Sequence, residues 1–135
     1  MTPRVTAWQR QAHSDLEAAK LTAASGLHAQ ACYLAGQATE KALKALLLAS
    51  GQPPPYSHSL PRLLEDLQQI GIDCAPLEAL PLRQVSRMET ESRYPQGEEA
   101  PSDRFDSHDS NIALSTAETT LWFVSVQLNP ATPRD

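Results

Sequence analysis

The sequence predicts an all-α protein, an up-and-down antiparallel bundle of four to five helices. Apolar residues recur at steps of three and four in four long stretches, with a shorter periodic stretch between them. Alanine and leucine dominate an apolar fraction of 41%, and aromatics supply only 5%, so strand-forming residues are scarce. Most connections are short, which makes consecutive helices antiparallel neighbours. At 135 residues the chain matches a single domain with a single core. We expect that domain to span residues 1–128 and residues 129–135 to form a frayed C-terminal tail.

In the first stretch Val5, Trp8, Ala12, Leu16, Ala19 and Ala23 share one helical stripe, and Gly26 is the stop. The second, from about Ala29 to Ser50, carries a small-residue seam of Ala31, Ala35, Ala38, Ala42, Ala45 and Ala49, which admits a close neighbour. Leu34, Leu43, Leu46, Leu47 and Leu48 fill most of its remaining circumference, so it belongs in the middle of the bundle. Gly51 ends it, and Gln52-Pro53-Pro54-Pro55-Tyr56 must run extended because each proline fixes φ and biases its predecessor away from the helical region.

A third helix begins at the cap Ser59, tolerates Pro61 in its first turn, and presents Leu60, Leu63, Leu64, Leu67 and Ile70 before stopping at Gly71. Leu77, Leu80, Val85 and Met88 mark a fourth helix, bent near Pro81. Residues 92–105 lack an apolar period and read as a long loop, a kind of segment that often carries function. Asp106 caps the last helix, whose stripe is Ile112, Ala113, Ala117, Leu121, Val124 and Leu128, and Asn129-Pro130 ends it.

Eleven basic against sixteen acidic residues give a net charge of -5 and exclude a chain-wide positive field for holding nucleic acid. Any phosphate binding must be local. No apolar run is long enough to span a bilayer and the N-terminal residues carry no apolar signal core, so a cytoplasmic protein is expected. The two cysteines, Cys32 and Cys74, form no metal-ligand pattern and read as reduced, non-functional thiols. Neither a metal nor a cofactor is expected.

The polar residues of the second helix are grouped. Gln37, Lys41 and Lys44 stand at i, i+4 and i+7, and Glu40 precedes Lys44 by four in the favourable order for a helix ion pair. Such a pair contributes only about 0.2–0.5 kcal/mol, and by spacing alone this reads as a solvated face.

Three stretches in order resemble the HEPN domain family. They are Trp8 through Asp15-Leu16-Glu17-Ala18-Ala19; then Gln37-Ala38-Thr39-Glu40-Lys41-Ala42-Leu43-Lys44 with the later His58-Ser59-Leu60; and Ser92-Arg93-Tyr94-Pro95 followed by an alanine-rich final helix. The likeness runs from about Trp8 to Leu128. It implies a cytoplasmic helical bundle that is usually a homodimer, often encoded beside a minimal nucleotidyltransferase in toxin–antitoxin-like pairs. Some such proteins resemble nucleotide binders and others are metal-independent ribonucleases.

The ribonuclease branch is marked by an arginine and, after four to six intervening residues, a histidine. Here the nearest match is Arg104-Phe105-Asp106-Ser107-His108, with three intervening residues, so Arg104 and His108 are catalytic candidates on a shortened motif. Cleavage through the 2′-hydroxyl needs a near-neutral acid or base and a cation beside the developing charge, roles suited to histidine and arginine. Arg93 and Tyr94 are the stronger ligand-binding candidates, since arginine presents a rigid fork to phosphate, tyrosine a flat face to a base, and Pro95 fixes the turn that presents them.

The alternative is that Arg93 pairs with Glu40 while Tyr94 packs over the bundle end. His58 either anchors the proline-rich connector by capping a helix end or joins Gln37, Glu40, Lys41 and Lys44 in a polar site. Tyr33 and Trp122 read as core or interface aromatics. The dimer expectation rests on the resemblance and on the apolar circumference of the second helix. Three classes of function are thus in view: a dimeric nucleotide- or RNA-binding module that partners a nucleotidyltransferase, a ribonuclease toxin, and a purely structural dimer.

Overall fold

A computed structural model describes residues 1–130 of the chain; residues 131–135, the end of the expected tail, lie outside the described residues. Those described form seven helical segments and no strand: α1 (Pro3–Ala24), α2 (His28–Ala49), α3 (Leu60–Gln69), α4 (Ala75–Glu78), α5 (Leu82–Glu91), α6 (Pro101–Arg104) and α7 (Ser107–Leu128).

Each boundary has a local cause. Thr2 caps α1 by accepting from Val5 N, Ser59 caps α3 by accepting from Arg62 N, and Asp106 exchanges hydrogen bonds with Asp109 in a capping box at the start of α7. Gly26, at φ 81°, turns the chain from α1 into α2. The link is so short that the two helices run antiparallel.

α2 is the central helix, packed against α1, α7, α5, α3 and α6. Its seam is buried from Ala31 to Ala45, and Leu43, Leu46 and Leu47 are buried around it. Most of its apolar circumference is covered within one chain, with Leu34 and Leu48 left partly exposed. The core adds Val5, Ala12, Leu16 and Ala19 from α1, Leu60, Leu63 and Leu67 from α3, Val85 and Met88 from α5, and Ala113, Ala117, Leu121 and Val124 from α7.

Two expectations need correction. The fourth helix is broken, not bent: Pro81, which lacks an N–H, precedes Leu82 as the residue before α5, leaving α4 as a single separate turn. The stretch 92–105 is not all loop either, because Pro101 starts the one-turn α6, closed by Phe105 N donating to Pro101 O. Both cysteine thiols are free and buried, and burial pushes that of Cys32 up to about 12, which makes it inert at neutral pH.

Candidate functional site

The polar residues of α2 do not form a solvated face. Glu40 and Lys44 are 4% and 5% exposed, and Lys44 Nζ donates to Glu40 Oε2 at 2.8 Å. His58 Nδ1 reaches the same oxygen at 2.9 Å. The histidine thus ties the proline-rich connector to α2 by its side chain, rather than by capping a helix. Lys41 is not part of this group; its Nζ donates to Asp15 Oδ2 at 2.5 Å and links α2 to α1.

The group is completed by a residue that the sequence reading missed. Glu89 of α5 is 4% exposed and accepts from Gln37 Nε2. It lies beside Glu40, so two carboxyl groups share one buried space. Burial, then the neighbouring Glu40 carboxylate, raises the Glu89 carboxyl to about 8, whereas Glu40 is held below its ordinary value because hydrogen bonds led by Lys44 outweigh its burial. The two carboxyl groups are hydrogen-bonded to each other, which requires that one of them hold a proton, since an ionised carboxylate only accepts. At neutral pH the arrangement is accordingly one carboxylate, one carboxylic acid and one ammonium, which is an electrically balanced buried cluster.

Two signals in the sequence pointed to Glu89. It falls on the α5 stripe, four residues after Val85 and seven after Leu82. Opposite it sits Gly36, a glycine in mid-helix, a position that ordinarily implies close packing.

This cluster fixes the C-terminal end of α5, from which Arg93 projects. Arg93 does not pair with Glu40. Its guanidinium carbon lies 5.3 Å from the centroid of the Tyr33 ring and 5.6 Å from that of Tyr94. No carboxylate forms an ion pair with it among the described residues. Nor does Tyr94 pack over the bundle end, being 68% exposed. Tyr33, read from sequence as a core or interface aromatic, is instead half-buried in the wall of a cleft.

That cleft has a volume of about 500 Å³, with Ala29 and Leu34 on its apolar side and Gln30, Ser92, Arg93 and Ser102 among its polar lining. Ser92 Oγ is buried and has no hydrogen-bond partner among the described residues. Apolar side chains, two aromatic rings and a cation meet there, with the Ser92 hydroxyl buried behind them.

The remaining candidates lie elsewhere. Arg104 donates through Nη2 to Glu91 Oε1 at 2.7 Å and stacks over Phe105 with its guanidinium carbon 5.3 Å from the ring centroid. His108 is exposed in the first turn of α7. No cluster of three metal-ligating side chains occurs among the described residues, and no helix there is long and apolar enough to cross a membrane.

The family model described as HEPN domain matches residues 5–127. The chain belongs to the HEPN domain family. Two solved structures resemble this HEPN chain over nearly its whole length. TT1696 from Thermus thermophilus is 33% identical with a TM-score of 0.78, covering 92% of this chain and 98% of its own. ST0689, an archaeal HEPN homologue, is 27% identical with a TM-score of 0.73, covering 95% of this chain and 100% of its own. No curated protein matches this chain.

Proposed function

We propose that this HEPN domain is a binding module for a nucleotide unit, free or within RNA, and that the unit sits in the Arg93 cleft. The observation that carries this is the exposed Arg93 guanidinium over the Tyr33 and Tyr94 rings with no ion-paired carboxylate among the described residues. A base can stack on a tyrosine face, while the arginine fork takes a phosphate in two parallel hydrogen bonds.

The family resemblance further supports a homodimer that works beside a nucleotidyltransferase partner. In that setting a nucleotide-binding cleft would serve the pair. Light scattering that shows only monomer at micromolar concentration would remove the homodimer from the proposal, and failure to co-purify with a co-expressed nucleotidyltransferase encoded next to it would remove the partner.

Calorimetric titration with adenosine monophosphate and with a short oligoadenylate tests the cleft. Saturable binding that weakens at least tenfold in Arg93→Ala is expected, roughly the effect of one lost charge-assisted hydrogen-bonding group. Equal affinity in wild type and variant would refute the assignment.

A further inference from the structure

A concentration of arginines stands apart from the Arg93 cleft. Between α3 and α5 runs a groove of about 580 Å³. Arg62 comes from the α3 wall, and Arg83 and Arg87 from successive turns of α5. Three of the chain's eleven lysines and arginines thus converge in one groove of an acidic protein.

Folding does not account for this convergence. Arg83 and Arg87 are exposed and form no ion pair among the described residues. Like charges four residues apart on a helix repel one another and lower its stability. Two carboxylates also face the groove, Glu65 and Glu91. Glu91 is neutralised by Arg104, whereas Glu65 Oε1 accepts from the neutral Gln69 amide at 3.3 Å and keeps its charge, so Arg83 and Arg87 face one carboxylate without an ion pair. Arg62 spends its Nε on Asp66 at 3.1 Å, which leaves the outer edge of its fork for another acceptor.

The rest of the lining indicates what the groove can hold. That lining is polar apart from Pro61: Gln96 adds an amide, while the Ser59, Ser86 and Thr90 hydroxyls are engaged with backbone groups. A peptide would need apolar pockets for its anchoring side chains, and these are missing from the lining. The α3 N-terminus lies at the same groove and adds its partial positive charge to that of the guanidinium groups. Arginine forks match the geometry of phosphate oxygens.

We infer that the groove between α3 and α5 is an anion site, distinct from the Arg93 cleft, in which Arg83, Arg87 and Arg62 bind a chain of linked phosphates. Such a chain can be a free polyphosphate or the backbone of a single-stranded nucleic acid, and the site does not depend on what the Arg93 cleft holds.

Titration of the full chain with inorganic tripolyphosphate tests the inference, in wild type, in the double variant Arg83→Ala with Arg87→Ala, and in Arg93→Ala. The two groove arginines are exposed, so the double variant should melt as the wild type does, which a thermal melt verifies. Binding to wild type, unchanged in Arg93→Ala and weakened roughly tenfold or more in the double variant, is the expected result. A parallel titration with oligouridylate, made with Arg93→Ala present in every protein so that the first cleft contributes nothing, separates the sources. Loss of both ligands in the double variant identifies a nucleic-acid backbone, and loss of tripolyphosphate alone identifies a free polyphosphate. The inference is overturned by the absence of tripolyphosphate binding at millimolar concentration. It is equally overturned if binding falls with Arg93→Ala and not with the double variant, or if polyglutamate competes as well as phosphate does. If Arg93→Ala loses adenosine monophosphate and keeps tripolyphosphate, the two sites stand separately.

Discussion

Glu89 lies directly across from Gly36: a Cβ placed on residue 36 would stand 2.9 Å from Glu89 Cβ and 3.1 Å from its Cγ. The absent side chain is what lets α5 bring a carboxyl group against the centre of α2. Gly36→Ala gains helix propensity of up to about 1 kcal/mol, but the clash involves atoms next to the α5 backbone, which cannot rotate away. We expect the overpacking to outweigh the gain and the variant to lose about 1–2 kcal/mol net, read as a lower urea midpoint with an unchanged slope. A midpoint at or above that of the wild type would contradict the close approach.

The raised Glu89 carboxyl makes stability depend on pH in an unusual direction. Its folded-state value of about 8 exceeds its ordinary 4.5, so the folded protein holds a proton that the unfolded chain releases between those limits. This contribution is complete below about 4.5 and is lost as the pH rises towards 8. Denaturation at pH 6 and pH 8 should show the wild type weaker at pH 8, by up to about 1 kcal/mol per pH unit. In Glu89→Gln the dependence should flatten. Glu40, lowered instead, acts only on the acid side, where stability falls as it is protonated.

Removal of Lys44 would take from the buried Glu40 carboxylate its lysine partner, leaving it the His58 contact and the Glu89 carboxyl. Lys44→Met keeps the volume and deletes the charge, so at neutral pH a loss of about 3–5 kcal/mol is expected, the usual cost of removing one partner of a buried ion pair. The loss should be smaller at pH 4, where Glu40 can take up a proton. Thermal melts at the two pH values check this; equal losses would mean that the buried pair carries little charge interaction.

Tyr33 separates stacking from mere packing at the Arg93 cleft. Tyr33→Phe retains the flat face and should leave adenosine monophosphate affinity within about twofold, whereas Tyr33→Leu should weaken it by about 1–3 kcal/mol, the range for one lost base stack. Equal effects of the two changes in calorimetry would argue against a stacked base.

The position of Arg104 predicts the outcome of a cleavage assay. Its guanidinium is engaged by Glu91 and Phe105, and His108 stands exposed on the first turn of the next helix. Total RNA incubated with the protein in a chelating buffer should remain intact. Cleavage that disappears in His108→Ala would instead establish a ribonuclease working through the shortened motif.

The all-α class, the central place of α2 and most helix limits were legible in the chain, because these follow from local rules: apolar period, capping residues, and glycine or proline at the breaks. The sequence also placed Arg93 and Tyr94 together, since they are adjacent in the chain. Only the tertiary structure decided what their side chains meet. Glu40 looked like half of a solvated pair until α5 and the connector closed over it, and Tyr33 looked like a core ring until Arg93 folded back from the far end of α5. Burial, and the proton held by Glu89, are sums over residues distant in sequence. No helical period contains them, although a mid-helix glycine and a carboxyl on an apolar stripe marked where they would arise.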